Sequence, residues 1–328
     1  MKLYVGLPLT GGALLDAADR LGVPILLSAN AFARAWPSSE RWHRPFAGFR
    51  QPSARLTWRR GVALDSAGFT VMNRHGDFPW TVRQYVELAA RFKHLDFWSQ
   101  MDACSEPEIA GDRQEVLMRV AYTARLYAEC RREADRIGFS HPMPVLQGYE
   151  LPDYLRCAEY IPLSRWPDRV GLGSVCRRPL TGPSGLEGIL DGLDRAMPPN
   201  VRFHLFGAKS LGILGQHPRI ASADSQAWDY RARRERPTGR DVGFRIKVMT
   251  DWLDRQRRTA DRAAPLLGGL PGSRADSRQD EEFSRAELEL ADLVASGEID
   301  YQGVTKATAA AWEAMSDPSR DDAQDTMA

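Results

Sequence analysis

Residues 201–223, VRFHLFGAKSLGILGQHPRIASA, contain two short apolar runs separated by a segment with helical periodicity. The runs 201–206 and 219–223 have the length and composition of buried strands. Between them, residues 209–216 repeat apolar side chains at the spacing that is typical of a helix. A strand, a helix and a second strand in this order predict a βαβ unit with parallel strands.

The same alternation extends towards the N-terminus and beyond the second run. Six further runs predict strands at 2–7, 24–28, 61–65, 95–100, 143–147 and 169–173. Further helical patterns lie at 12–20, 80–92, 112–137, 151–160, 184–196 and 241–264. Eight strands that alternate with helices predict a (β/α)8 TIM barrel, which we assign to residues 1–264.

Two segments depart from this alternation. Residues 29–60, after the second strand, form a long insertion rich in Trp, Phe, Arg and Pro, which predicts a nucleic-acid contact or a lid. Residues 265–328 are predicted to form a separate tail. It would consist of a linker at 265–283, helices at 284–296 and 305–315, and a disordered end.

The composition excludes several classes of protein. The 328 residues include 44 Lys plus Arg, 43 Asp plus Glu and 43% apolar residues, as expected of a globular enzyme in the cytoplasm. No long apolar run or signal-peptide pattern is present, so neither a transmembrane helix nor a membrane partner is predicted. The four cysteines lack C-x-x-C spacing, which predicts reduced thiols rather than a disulfide framework.

Polar side chains collect where predicted strands end, and active sites of (β/α)8 barrels lie at that face. Four such residues follow four different strands: Asp65, Asp102, Gln147 and Asp224. Two carboxylates can divide the roles of nucleophile and general acid and base, while an aspartate and a glutamine suit a purine edge. A single aspartate here would more often be a helix N-cap, but the set predicts a pocket for a flat polar ring.

Three motifs occur in a fixed order within this barrel. They are LDSAGFT at 64–70, VGLGSVCRR at 170–178, and HLFGAK at 204–209 followed by ASADS at 221–225. Together they resemble motifs of the tRNA-guanine transglycosylases, and more closely those of phage and bacterial relatives that place 7-deazaguanine bases in DNA. The resemblance covers about residues 60–235 and implies an enzyme that exchanges guanine in DNA for a 7-deazaguanine base.

The resemblance also implies a role for each matched residue. Asp224 matches the nucleophile that attacks the sugar C1′ and leaves a covalent glycosyl ester, and Asp65 matches the general acid and base. Asp102 and Gln147 match the groups that bind the purine edge. The base pocket as a whole would be lined by Ser66, Phe69, Asp102, Gln147, Gly171, Leu172, Phe206 and Gly207, with the two phenylalanines on either side of the base.

Arginine supplies 39 of the 44 cationic side chains. A target nucleotide that leaves the base stack needs cations on its phosphates, and the guanidinium is well suited to phosphate. The candidates are Arg177, Arg178, Arg231, Arg233, Arg234, Arg236 and Arg240. The alternative is that these are solvated surface arginines encoded by a GC-rich gene.

The chain departs from the family pattern at positions that bear on the substrate. The tRNA enzymes carry a Cys3His zinc site after the nucleophile, whereas the last cysteine and histidine here are Cys176 and His217. No zinc or other cofactor is therefore predicted, and DNA is favoured over tRNA. Cys176 also lies near the position of a family glutamate associated with an aminomethyl-substituted base, which favours the neutral nitrile-bearing base preQ0. Where the family motif has two consecutive glycines, this chain has Ala67 in the first position and Gly68 in the second.

Three other functions fit parts of the pattern. A tRNA-guanine transglycosylase would use the same carboxylates, and a glycoside hydrolase would use Asp65 and Asp224 with water as the acceptor. A catalytically silent partner subunit would tolerate the loss of either aspartate. Accessory DNA-opening proteins or a second copy of the chain are compatible partners. His204 is expected to be a buried barrel histidine rather than a catalytic base.

Overall fold

The computed structural model describes most of the chain. Its described residues are 1–35, 46–176, 178–181, 185–208, 217–236, 238, 241–262 and 283–301. The predicted helices at 209–216 and 305–315 lie outside these ranges, as do Arg177 and Arg240. None of the helices within the ranges is both long enough and apolar enough to cross a membrane.

Eight parallel strands form the central sheet. They are β1 (Lys2–Leu7), β2 (Ile25–Ser28), β5 (Val62–Asp65), β6 (Leu95–Trp98), β7 (Val145–Leu146), β8 (Arg169–Leu172), β9 (Arg202–Leu205) and β10 (Ile220–Ser225). Their spatial order is β6-β5-β2-β1-β10-β9-β8-β7. Each predicted strand is therefore present in the sheet, with its bounds shifted by at most two residues.

The two edge strands of this sheet, β6 and β7, are joined through the residues that directly follow β6 and directly precede β7. Ser99 and Met143 form a parallel bridge. The Met143 N–H donates to the carbonyl of Trp98 at 2.8 Å, and the Gln100 N–H donates to the carbonyl of Met143 at 3.1 Å. These bonds close the sheet and confirm the predicted barrel class.

Helices cover the outside of the barrel. They are α1 (Ala13–Arg20), α2 (Ala54–Trp58), α3 (Gly68–His75), α4 (Val82–Ala89), α5 (Arg113–Ile137), α6 (Leu151–Tyr160), α7 (Leu186–Ala196), α8 (Ala227–Glu235), α9 (Val242–Arg262) and α10 (Arg285–Ser296). Local sequence sets several ends: Thr81 and Gln84 form a capping box at α4, and Gly138 ends α5 at a φ of 65°. The short helices α2, α3 and α8 are additions to the predicted pattern.

The described part of the insertion packs against the barrel. β3 (Ala33–Ala35) and β4 (Phe46–Phe49) form an antiparallel pair, and α2 follows them. The rings of Phe46 and Phe49 lie 5.6 and 5.1 Å from the ring of Trp80. This aromatic cluster attaches the pair to the segment before α4, while a role of the insertion as lid or nucleic-acid contact stays a prediction.

The C-terminal helix α10 packs on α5. Its apolar side buries Leu290 and Val294. Beyond it, the ring of Tyr301 stacks on that of Tyr122 with centroids 4.6 Å apart, and its hydroxyl donates to Glu115 at 2.5 Å. The described part of the predicted tail is thus held against the barrel by apolar packing and by a partly buried hydrogen bond.

Candidate active site

The strand ends bring four predicted residues to one mouth of the barrel. Asp65 ends β5 and lies in register with Ser28 of β2, while Asp224 is in β10, in register with Tyr4 of β1. Asp102 follows β6 and Gln147 follows β7. The charges of Asp102 and Asp224 both act on the carboxyl of Asp65, so each of these two acids lies within electrostatic reach of Asp65.

The carboxyl of Asp65 has a raised pKa. Burial at the mouth, together with the charges of Asp102 and Asp224, disfavours its ionised form and raises its pKa to about 7. The backbone N–H of Ala67 donates to Oδ2 at 2.9 Å and acts in the opposite sense. A group with this pKa gives and takes protons readily at neutral pH, as a general acid and base must.

Asp102 is buried and accepts a hydrogen bond on each oxygen. The Ser66 hydroxyl donates to Oδ1 at 2.6 Å, and the Gln147 amide nitrogen donates to Oδ2. Burial raises the pKa of Asp102, whereas the bonds from Ser66 and Gln147 lower it. A purine that binds to this carboxylate must therefore share or displace one of these two donors.

The amide of Gln147 is held in one orientation. Because its nitrogen faces the acceptor Asp102, its oxygen points the other way and accepts from the Ser174 hydroxyl at 2.6 Å. The backbone N–H of Ser105 donates to the same hydroxyl at 2.7 Å. Ser174 adopts a left-handed φ of 55°, and Gly173 beside it has no room for a Cβ, which would lie 2.2 Å from the Gln147 nitrogen.

Asp224 is buried beside a backbone N–H and an imidazole nitrogen. The backbone N–H of Gly207 donates to its Oδ1 at 3.0 Å, and the Nε2 of His204 lies 3.4 Å from the same oxygen. Gly207 has a left-handed φ of 63°, and a Cβ there would lie 3.0 Å from the Cβ of Cys176. Both constraints explain a glycine at this position.

The predicted apolar lining is placed in two different environments. Phe206 packs inside the barrel, where its ring lies 4.6 Å from the ring of His204 and leaves no space for a side chain at Gly171. Leu172 is fully buried in β8. Phe69, in the first turn of α3, is 45% exposed at the mouth. A sandwich of the base between Phe69 and Phe206 stays a prediction.

The predicted DNA-binding arginines separate into an internal and an exposed set. Arg178 is buried, with its Nε donating to the carbonyl of Ser174 at 3.0 Å and its guanidinium 4.3 Å from the Tyr149 ring. These internal bonds fix the loop after β8, and a phosphate contact of Arg178 stays a prediction. The exposed set consists of Arg231, Arg233 and Arg234 on α8 and of Arg236 directly after it.

Sequence reasoning missed two residues of this site. Ser174 orients Gln147, and His204 lies against Asp224. The only sequence signals for them are a serine directly after Gly173 and a histidine within an apolar strand. Neither signal distinguishes a functional side chain from an ordinary buried one, because the partners come from other strands.

Gly68 provides a first test of the site geometry. A Cβ at this position would lie 2.3 Å from the backbone oxygen of Asp102, so we expect Gly68→Ala to push Asp102 out of place. The clash should destabilise the fold by about 1–3 kcal/mol and lower kcat/KM by about tenfold to a hundredfold. Thermal unfolding and steady-state kinetics measure the two effects.

Ala67→Gly is the matched control at the neighbouring position. Ala67 has a left-handed φ of 75°, which glycine adopts without strain, and its backbone N–H to Asp65 is kept. We therefore expect near-wild-type activity from Ala67→Gly. An equal loss of kcat/KM in Gly68→Ala and Ala67→Gly would show that activity depends on the conformation of the turn and not on the space beside Asp102.

A comparison with protein families matches this chain to one model. The model for DeoxyPurine in DNA protein A (DpdA) covers residues 39–276, which is more than two thirds of the chain and includes all four residues of the barrel mouth. A search of curated proteins found no match. The family match agrees with the resemblance to DNA-modifying relatives of the tRNA-guanine transglycosylases.

Proposed function

Because the chain belongs to the DeoxyPurine in DNA protein A family, which acts in 7-deazaguanine modification of DNA, we propose base exchange through a covalent Asp224 intermediate. The enzyme would replace guanine in DNA with a preQ0-like base. The observation that carries this proposal is Asp65, whose pKa is raised to about 7 beside the charges of Asp102 and Asp224. At one mouth of the barrel, Asp65 supplies a proton donor, Asp224 an anionic nucleophile and Asp102 a group that recognises the base.

The first half of the reaction removes guanine. A carboxylate oxygen of Asp224 attacks C1′ of the deoxyribose, and the bond from C1′ to the guanine nitrogen breaks with its electron pair on guanine. Asp65 gives its proton to the departing base. The product is an ester between Asp224 and C1′, and Asp65 is left as a carboxylate.

The second half installs the new base. Asp65 takes the N–H proton of the incoming 7-deazaguanine base, whose nitrogen attacks C1′ while the ester bond breaks and its pair returns to Asp224. Two inversions at C1′ retain the configuration of the nucleoside. Because the same carboxyl gives a proton and then takes one, a pKa near the working pH serves both halves.

Recognition of the base follows from the polarity of two side chains. The Asp102 carboxylate accepts hydrogen bonds, which suits the N1–H and 2-amino groups of guanine and 7-deazaguanine. The Gln147 amide presents its NH2 group to the same side, which suits a 6-oxo group. Adenine would place a 6-amino donor against this NH2 group, so we expect it to be rejected.

Other residues support the proposed 7-substituent and the proposed binding of a nucleic-acid strand. Cys176 lies beside Gly207, whose backbone N–H donates to Asp224. A cysteine in place of an acidic side chain there favours a neutral substituent such as a nitrile. Arg231, Arg233 and Arg234 follow Asp224 on α8 and are exposed, so they can meet the phosphates of a strand whose nucleotide enters the mouth.

Nucleoside analysis of DNA and tRNA, digested separately, tests the proposed function. Cells that synthesise preQ0 would express the wild type, Asp224→Asn, or the control Asp251→Asn, which changes an exposed aspartate paired with Lys247 on α9. We expect a 7-deazaguanine deoxynucleoside in DNA with the wild type and the control, and none with Asp224→Asn. Modified tRNA with unmodified DNA would support a tRNA enzyme instead, and no modification in either would refute base exchange.

A further inference from the structure

His204 is a buried ring next to Asp224 that takes no part in the proton transfers of the proposed exchange. It lies in β9, is fully buried, and its ring centroid is 5.8 Å from that of Tyr4 and 4.7 Å from that of Phe97. Burial in this aromatic lining lowers the pKa of His204, although the Asp224 carboxylate acts in the opposite sense. The imidazole is therefore neutral at neutral pH, with one donor nitrogen and one acceptor nitrogen.

The two ring nitrogens face different partners. Nδ1 lies 2.9 Å from the Ser222 hydroxyl, and Nε2 lies 3.4 Å from Oδ1 of Asp224. Within the described part of the chain, Nε2 has no well-aligned hydrogen-bond partner, and it is buried. If the proton were on Nδ1, the lone pair of Nε2 would face the carboxylate of Asp224, which is unfavourable. If the proton is on Nε2, the ring directs a donor at Asp224, and Nδ1 accepts a hydrogen bond from the Ser222 hydroxyl.

We propose that His204 is a positioning residue that, together with the backbone N–H of Gly207, holds Oδ1 of Asp224 and promotes departure of Asp224 from the sugar. This inference rests on the proposed function. Because Oδ1 faces two donors, Oδ2 is the oxygen that attacks C1′. When the ester bond breaks, its electron pair returns to the carboxylate and negative charge spreads onto Oδ1, where the two donors stabilise it.

His204 thus acts mainly in the second half of the exchange. In the ester, Oδ1 is a carbonyl oxygen with little charge, and it becomes a carboxylate oxygen as the new base attacks C1′. A donor fixed at this oxygen lowers the barrier to ester breakdown because its interaction strengthens as charge develops. The same donor stabilises the free carboxylate, so it does not accelerate formation of the ester.

Two substitutions separate this role from packing. His204→Phe keeps an aromatic ring beside Tyr4, Phe97 and Phe206 but removes the donor, whereas His204→Gln keeps an N–H near the position of Nε2. The covalent complex with guanine-containing DNA would be isolated in denaturing gels, and its decay timed after addition of preQ0. We expect His204→Phe to slow decay by about tenfold to a hundredfold, with accumulation of the complex, and His204→Gln to recover most of the rate.

Three results would overturn the inference. The first is an unchanged rate of decay of the covalent complex in His204→Phe. The second is an equal loss of decay rate in His204→Phe and His204→Gln, together with a similar fall in unfolding temperature. The third is slower formation of the complex in His204→Phe without slower decay. If the wild type forms no complex on DNA, the proposed function itself fails. Nitrogen-15 spectra of histidine-labelled protein, assigned with His204→Phe, then still test the contact: a proton on Nε2 supports it, and a proton on Nδ1 refutes it.

Discussion

Replacing Asp224 with asparagine should abolish base exchange while the barrel stays folded. An amide oxygen is too weak a nucleophile to displace guanine, so we expect the rate to fall by about a thousandfold or more, which corresponds to roughly 4 kcal/mol or more of lost transition-state stabilisation. The asparagine oxygen can still accept from the Gly207 N–H, which keeps the local structure. Single-turnover exchange of radiolabelled guanine in DNA measures the rate.

The covalent complex gives a second readout of the same variant. Wild-type protein incubated with DNA in the absence of an incoming base should yield a protein–DNA species that survives denaturation, and Asp224→Asn should yield none. Mass spectrometry of the digested complex would locate the modified peptide. A complex that persists in Asp224→Asn would transfer the nucleophilic role to another carboxylate, and Asp65 would be the first to examine.

The sequence predicts the barrel well because its strands are short apolar runs separated by regular helices. The strand predicted at 61–65 is observed at Val62–Asp65, and the helix predicted at 112–137 is observed at Arg113–Ile137. The helices α3 and α8 could not be predicted in the same way. α3 has only eight residues, which gives a periodic pattern little length to show, and α8 is highly polar, so it has few apolar positions to repeat.

The site is predictable only where strand ends determine it. Asp65 and Asp224 follow from the rule that strand ends converge, and the structure places them within mutual electrostatic reach. Arg178 does not follow from any such rule: it precedes a proline, looks like a surface cation in sequence, and is buried against Tyr149 from another loop. Contacts between distant loops depend on the three-dimensional packing, which local pattern does not encode.

Replacing Asp65 with asparagine should slow loss of guanine by about a hundredfold to ten-thousandfold, because no group then protonates the departing base. DNA that contains 7-methylguanine provides a control, since this base carries a positive charge and departs without taking a proton. We expect Asp65→Asn to form the covalent complex with 7-methylguanine at a rate much closer to that of the wild type. Asp224→Asn should not be rescued in this way.

The raised pKa of Asp65 also predicts a gain in stability in Asp65→Asn at high pH. A carboxyl whose pKa is about 7 in the folded protein and near 4 in the unfolded chain contributes stability that is complete below about pH 4. That contribution is lost as the pH rises through 7, because folding then confines a charge beside Asp102 and Asp224. Asparagine carries no such charge, so the variant should be more stable than the wild type by up to about 4 kcal/mol at pH 8.

Denaturant unfolding at pH 4, 6 and 8 measures this difference. We expect the two proteins to differ least at pH 4 and most at pH 8, with the variant more stable at pH 8. In the same pH range, the wild-type rate should pass through an optimum near pH 7, because guanine departure needs the protonated carboxyl and base entry needs the ionised one. A pH-independent difference in stability would mean that Asp65 titrates normally, and the general acid would then have to be sought elsewhere at the mouth.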